Sequence, residues 1–224
     1  MIAVLLSGGL DSAVLVSEQS RRDTVQPIYV SVGLAWEAVE REAARLFLAL
    51  SPFAHDVRPL VSLTVDMSDV YPASHWAREG RPPGYDAPDE DVYLAGRNIV
   101  LLSKAAVFCA ASGIHRIAIG TLAHNPFPDA TDDFRAAMAH ALSLGLAHEI
   151  GIDAPFAGVE KADVIRRGSI ARCPLALTVS CMKPAGFTDG LPRHCGACNK
   201  CRERREAFDA AGVPDPTHYD TGYI

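Results

Sequence analysis

No run of apolar residues in this chain approaches the roughly 18 to 20 that a membrane span needs, and no basic leader precedes the first apolar stretch, which together point to the cytoplasm. Neither G-x-x-x-x-G-K-[ST] nor G-x-G-x-x-G occurs, so the lysine of a Walker nucleotide site and the dinucleotide fingerprint are both missing. There is no basic excess either. The formal net charge is -6, whereas nucleic-acid-binding domains usually carry a basic face, so a small-molecule substrate is expected and nucleic acid is not. Internal repeats and low-complexity tracts are also absent, and with 49% apolar residues in 224 the chain reads as an ordinary globular protein. That length suits one large domain or one domain with an appendage.

The apolar and polar residues that are present alternate in blocks. Residues 2–6 read as a buried strand, 13–20 as a helix, 25–33 as a second strand, 35–50 as a helix with Ala35, Val39, Ala43, Leu46, Phe47 and Leu50 at helical spacing, and 60–67 as a third strand. Such an order implies right-handed crossovers and an open parallel sheet with helices on both faces, an α/β fold of Rossmann-like type. Further on, 98–113 reads as a mostly buried helix, 116–122 as a strand, 133–146 as an amphipathic helix, 149–156 as a late strand, and 160–168 as a short helix capped by Gly168. Residues 71–91, rich in Pro, Gly and charge, form a connection too long to be idle, of the kind that serves as a lid or is disordered. The expected division is a nucleotide-binding α/β domain over 1–172 and a zinc-binding helical region, irregular apart from its closing helix, over 173–224.

Ser7-Gly8-Gly9-Leu10-Asp11-Ser12 interrupts the first strand–helix junction. In an open parallel sheet, ligands bind beyond the carboxyl ends of the strands, where loops lead into helices. Gly8 and Gly9 can take positive φ and let the backbone approach an anion, and the helix N-terminus behind them offers unpaired N–H groups and a positive dipole end. Ser7 and Ser12 add hydroxyls. Asp11 can cap the helix or hold the magnesium ion of a nucleotide. The plainer alternative is a tight turn with a capping aspartate.

At the other end, Cys181, Cys195, Cys198 and Cys201 account for four of the six cysteines, three of them as C-x2-C-x2-C with Gly196 easing the turn. Disulfides are improbable in a cytoplasmic protein. A closed tetrahedral zinc site is the first reading and an iron–sulfur cluster the competitor. His194 is expected at the surface, and Cys109 and Cys173 as ordinary buried or semi-buried thiols.

The hexapeptide resembles the pyrophosphate loop of the N-type ATP pyrophosphatases (PP-loop proteins). With "GRN" at 96–98, "KADVI" at 161–165 and "HCGACNKCRERREAF" at 194–208, the chain resembles, nearly end to end, the QueC family of 7-cyano-7-deazaguanine synthases of queuosine biosynthesis. This resemblance implies an ATP-dependent C–N ligase that converts 7-carboxy-7-deazaguanine and ammonia to the nitrile through adenylated carboxylate and amide intermediates. It implies ATP, Mg2+ and Zn2+ as cofactors, and a homodimer. Carried over by position, Ser7, Gly8, Gly9, Leu10, Asp11 and Ser12 would bind the ATP phosphates, and Tyr29 and Val30 would flank the adenine. Asp11, Arg97 and Lys161 would be catalytic, Trp36, Asn98 and Asp129 would meet the acceptor, and the four cysteines would bind zinc.

Each residue has a plainer alternative: a surface ion pair for Arg97, a helix cap for Asn98, a solvated side chain for Lys161, a core indole for Trp36. The sequence departs from the family pattern at 32–37, "VGLAWE", and at 124–134, "HNPFPDATDDF", which keeps Pro128, Asp129 and Phe134. Both segments are expected near the acceptor. Rival readings are a divergent PP-loop ligase acting on another carboxylate, a tRNA-thiolating enzyme, and a zinc module without catalysis. A tRNA enzyme would want a basic surface, and a bare module would have no need of an anion cradle.

Overall fold

The computed structural model describes residues 1–52 and 57–220. Its frame is a five-stranded parallel sheet in the order β3-β2-β1-β4-β5, formed by β1 (Ile2–Leu5), β2 (Val25–Ser31), β3 (Val61–Thr64), β4 (Arg116–Ala118) and β5 (Gly151–Asp153). The sheet is the parallel one expected. Successive strands step outward from β1 to β3, then the chain returns to the other side of β1, so a crevice opens beyond the carboxyl ends of β1 and β4.

Strand alternation assigns the two faces. Ile2 and Val4 join a core with α1 (Leu10–Gln19), Phe47 of α2 (Glu37–Leu50), and Val164 and Ile165 of α6 (Lys161–Ile170). Ala3, with Ile28 and Ile117, packs instead against α4 (Arg97–Ala111), whose Leu102, Ala105, Ala106 and Cys109 are buried, and against Phe134 and Met138 of α5 (Asp132–Leu146). Cys173, Leu175, Leu177 and Phe208 of α7 (Asn199–Ala211) lie in the same core as Ile2 and Val14, so the C-terminal residues complete one face of the sheet.

Three local expectations are corrected. The first helix starts at Leu10, because Gly9 in extended conformation serves as its N-cap. Gly168 sits inside α6 and does not end it; a Cβ there would lie 2.7 Å from Val14 Cγ2 and 3.1 Å from Leu175 Cδ2, so this glycine is a packing requirement between α6 and α1. The stretch after Cys181 is less irregular than expected. It holds a small sheet of β6 (Phe187–Thr188), β7 (Leu191–His194) and β8 (His218–Tyr219), with β6 and β7 joined by an Asp189-Gly190 turn in which both residues have positive φ. Asp-Gly is the favoured sequence for that turn. Residues 71–91 are ordered around α3 (Trp76–Glu79) and a 3-10 turn at Asp89–Val92.

Candidate active site

The loop between β1 and α1 folds tightly on itself. Gly8 has φ 78°, and a Cβ on it would lie 2.5 Å from the backbone oxygen of Glu40, so the loop rests directly on α2. Positive φ is confined to Gly8. Gly9 has φ −71°, and its lack of a side chain matters because a Cβ would meet Ser7 Oγ at 3.1 Å. Ser7 Oγ accepts from Gly9 N at 3.2 Å, and Ser12 Oγ donates to Gly9 O at 3.0 Å, while the first intrahelical bond runs from Ala13 N to Gly9 O, so the N–H groups of Leu10, Asp11 and Ser12 have no acceptor within the helix. Gly120, just after β4, completes the cradle. A Cβ there would lie 3.2 Å from Ser12 N, so only glycine lets the β4 exit lie against α1. Gly120 escaped the sequence reading, which carried the strand on to 122 where it ends at Ala118; a glycine within an apolar run, in "AIGTL", was the available signal.

Asp11 does not cap α1. Its Oδ2 lies 3.4 Å from Lys161 Nζ, while its Oδ1 is buried without a hydrogen-bond partner. Burial pushes its carboxyl above the usual range, against the pull of Lys161. A buried, unpaired carboxylate oxygen beside helix N–H donors is a fitting ligand for a hard cation that accompanies phosphate.

Two adjoining cavities, of about 260 and 510 Å³, share Gly9, Asp11, Arg97 and Gly120. The smaller includes Ser7, Ser12 and Asp129; a recess of about 40 Å³ beside it is walled by Tyr29 and Val30. The larger holds Trp36, Trp76, Phe127, Lys161 and Lys200. Arg97, the first residue of α4, borders both cavities and the recess, and its Nε is buried without a partner. A guanidinium left open in this way is suited to a carboxylate or phosphate oxygen. Asn98 is no helix cap: it lies inside α4, whose cap position is Gly96. The cap is supplied by Asp129, whose Oδ2 accepts from Asn98 N at 3.0 Å while Asn98 Nδ2 donates to Asp129 O at 3.0 Å. These two residues therefore brace each other as well as bordering the smaller cavity.

A ladder of charges crosses the larger cavity. Lys161 Nζ is 2.6 Å from Glu203 Oε1, and Lys200 Nζ is 2.6 Å from Glu203 Oε2 and 3.6 Å from Asp89 Oδ1. Burial alone would raise Glu203, but the two ammonium groups pull it down to about 2. Lys161 is no solvated side chain. Burial works against its charge, but Asp11 and Glu203 outweigh this and keep it protonated. Glu40, missed by sequence reading, lies between the recess and the larger cavity; burial raises it to about 7 although Arg97 opposes this, and its Oε2 accepts from Tyr29 Oη at 2.9 Å. Trp36 is only 4% exposed and stacks on Trp76 with centroids 5.9 Å apart, so Trp76 is the more accessible ring of the pair.

The four cysteine sulfurs lie within 4.8 Å of one another, all buried. Cys195–Cys201 and Cys198–Cys201 separations are 4.0 and 3.5 Å, close to the sulfur–sulfur edge of about 3.8 Å that Zn–S bonds of about 2.3 Å give in a tetrahedron. All six cysteines are free thiols. Such crowding suits a single ion such as zinc better than a cluster whose ligands straddle several irons. Cys195 N and Lys183 N both donate to Cys181 Sγ at 3.2 Å. His194 is not at the surface: it is 1% exposed, its Nε2 accepts from Ser180 N at 3.2 Å, and burial lowers it to about 3. Residues 71–91 are fastened to this region by a Gly84–Cys198 bridge, by Asn199 N donating to Pro83 O, and by Arg205 lying over Tyr85.

Residues 1–212 match the family model described as "Queuosine biosynthesis protein QueC". A curated relative from Porphyromonas gingivalis, named 7-cyano-7-deazaguanine synthase, is 31% identical over 221 residues, covering 97% of this chain and 96% of that one. One of the same name from Methanopyrus kandleri is 33% identical over 240 residues, covering 96% and 97%. A solved structure described as a predicted subunit of tRNA methyltransferase from Methanocaldococcus jannaschii superposes at TM-score 0.45 with 17% identity over 76% of this chain and 73% of that one, too loosely to bear on function. No described helix is long and apolar enough to cross a membrane. A whole-length match that takes in both the glycine loop of residues 7–12 and the cysteine cluster makes this chain a member of the QueC family of queuosine biosynthesis enzymes.

Proposed function

We propose that the enzyme converts 7-carboxy-7-deazaguanine and ammonia to 7-cyano-7-deazaguanine at the expense of ATP, activating the carboxylate, forming the amide and dehydrating it after a second activation. The observation that carries this reading is the pair of unpartnered buried groups, Asp11 Oδ1 and Arg97 Nε, where the two cavities meet beyond β1 and β4.

In this reading the N–H groups of Leu10 to Ser12 and the Ser7 and Ser12 hydroxyls hold the leaving pyrophosphate, where charge develops in the transition state. The adenine lies against Tyr29 and Val30. A magnesium ion on Asp11 would supply charge neutralisation of the phosphates when bound. Arg97 orients the acceptor carboxylate or α-phosphate oxygens, and Lys161 faces the same oxygens from the α6 side. The flat acceptor lies in the larger cavity against Trp76. The four thiolates would hold zinc, which when bound would fix the start of α7 and with it Lys200 and Glu203.

The departures from the family pattern bear unequally on this reading. Within residues 32–37 only Trp36 borders the larger cavity, and Glu37 ties the turn by accepting from Val32 N at 2.8 Å and Gly33 N at 3.2 Å. Residues 124–127 do border it, so acceptor selectivity is expected there. A cytoplasmic homodimer belongs to the same reading, and the exposed Val107 on α4 and Leu144 on α5 are candidates for its contact.

Incubation with ATP, Mg2+, ammonia and 7-carboxy-7-deazaguanine, followed by mass spectrometry, is expected to give the nitrile, AMP and pyrophosphate. Pyrophosphate release with another acid alone would overturn the choice of acceptor and leave a divergent ligase.

A further inference from the structure

Lys161 is shared unequally between two carboxylates. It lies 2.6 Å from Glu203 Oε1 but 3.4 Å from Asp11 Oδ2, and Glu203 uses its other oxygen to hold Lys200, also at 2.6 Å. All of these groups are largely withdrawn from water, with side-chain exposures of 16% for Lys161, 24% for Asp11 and 25% for Glu203. In such surroundings an ammonium and a carboxylate that had only each other would close into direct contact, and separating them would be costly. Asp11 is spared that contact. Its Oδ1 stays unpartnered although a lysine stands beside it.

We propose that Glu203 is a positioning residue that draws Lys161 away from Asp11, so that Asp11 remains open to the divalent cation of the nucleotide while Lys161 stays charged at the edge of the phosphate loop. Lys200 is part of the device, because by occupying Oε2 it keeps Glu203 turned with Oε1 toward Lys161. Lys200, on the first turn of α7, lies between Cys198 and Cys201, and Glu203 follows Cys201 by two residues, so the cysteine region sets their place. Without Glu203, lysine and cation compete for one carboxylate. With it, each has its own.

This inference rests on the nucleotide-binding reading above, and its test reads binding instead of turnover. ATP binding by calorimetry is followed as a function of Mg2+ in the unsubstituted enzyme and in Glu203→Gln, with the metal content of the cysteine site as the check on folding. The Mg2+ concentration at half-maximal binding is expected to rise roughly tenfold in the variant, since a buried lysine must now be displaced from Asp11. Removing the competitor in the same background, as Glu203→Gln with Lys161→Met, is expected to bring that concentration back down. Glu203→Asp, too short to span both lysines, gives a second route should Glu203→Gln fail to fold, and is expected to shift the midpoint in the same direction. An unchanged midpoint in both Glu203 variants, or a rise that persists after Lys161 is removed, would overturn the role of Glu203 alone. Absence of Mg2+-dependent ATP binding in the unsubstituted enzyme would overturn the nucleotide reading itself.

Discussion

Around the loop of residues 7–12, buried polar atoms are left open, with Asp11 Oδ1 and Arg97 Nε lacking partners, whereas around the cysteines the fully buried guanidinium of Arg204 donates to Thr217 Oγ1, Thr178 Oγ1, Ser180 Oγ and Leu175 O. Backbone N–H groups there reach the sulfurs as well. Two atoms in that region, His194 Nδ1 and Asn199 Oδ1, are also unpaired, yet neither residue borders the two cavities. Leaving a buried charged or polar group unsatisfied costs stability. One region bears that cost where a ligand can repay it, and the other spends its hydrogen bonds on holding still. The two regions are thus told apart by whether their unsatisfied atoms border a cavity.

The largest effect is expected from taking metal away from the cysteine region. Apparent binding energies of structural zinc sites run to about 10 kcal/mol or more, so a strong chelator or Cys198→Ser should lower Tm by more than about 10 °C. Differential scanning calorimetry checks this, and a Tm unchanged by chelation would remove the metal from the account. Asp11→Asn should do the reverse, with little or no loss of Tm, because burial disfavours the native carboxylate. Its kcat/KM should fall by about 10³-fold, the scale of losing one well-placed electrostatic group. A variant that unfolds would mean that Asp11 serves the frame after all.

What was legible in the sequence follows the same divide. The parallel sheet could be read because apolar runs and helical spacing are repeated over many residues, and the cysteine site because C-x2-C-x2-C constrains its own geometry. The small sheet around β7 was not read, since two-residue strands carry no period and its only signal was Asp189-Gly190. Gly120 and Glu40 were missed, and Gly168 was read as a helix cap, because the importance of all three lies in what approaches them from distant parts of the chain: Ser12 N for Gly120, the backbone of Gly8 together with Tyr29 for Glu40, and Val14 for Gly168. Asn98 and Asp129 were placed at the site without the reciprocal bracing that joins residues 31 apart in sequence. His194 was misplaced because its burial depends on Ser180 and on the neighbouring Tyr219 ring.

Glu40 makes the cavity side of the molecule sensitive to pH. Its carboxyl titrates at about 7 in the fold instead of the ordinary 4.5, chiefly from burial. Between those values the unfolded chain has already lost a proton that the native state keeps, so stability declines as pH rises from about 4.5 to about 7. Glu40→Gln cannot lose that proton. Urea unfolding at the two ends of the window should show the variant losing less stability than the unsubstituted enzyme, by on the order of 3 kcal/mol. Equal declines would place the strain elsewhere in the site.

The smallest effect is expected at the rim of the larger cavity, where residues 71–91 join the two regions. These are fastened to the cysteine region through Gly84 and Pro83, yet they carry Trp76 across to stack on Trp36 beside the phosphate loop. An offset aromatic pair contributes about 0.5 to 1.5 kcal/mol beyond the area it buries, and a flat acceptor lying on Trp76 would gain a similar amount. Trp76→Ala should therefore raise the KM for the acceptor about fivefold while leaving the KM for ATP near its original value. Steady-state kinetics with each substrate varied in turn separates the two constants. A parallel rise in both would show that Trp76 holds the loop in place for the whole site, and that residues 71–91 belong to the frame and not to the acceptor pocket.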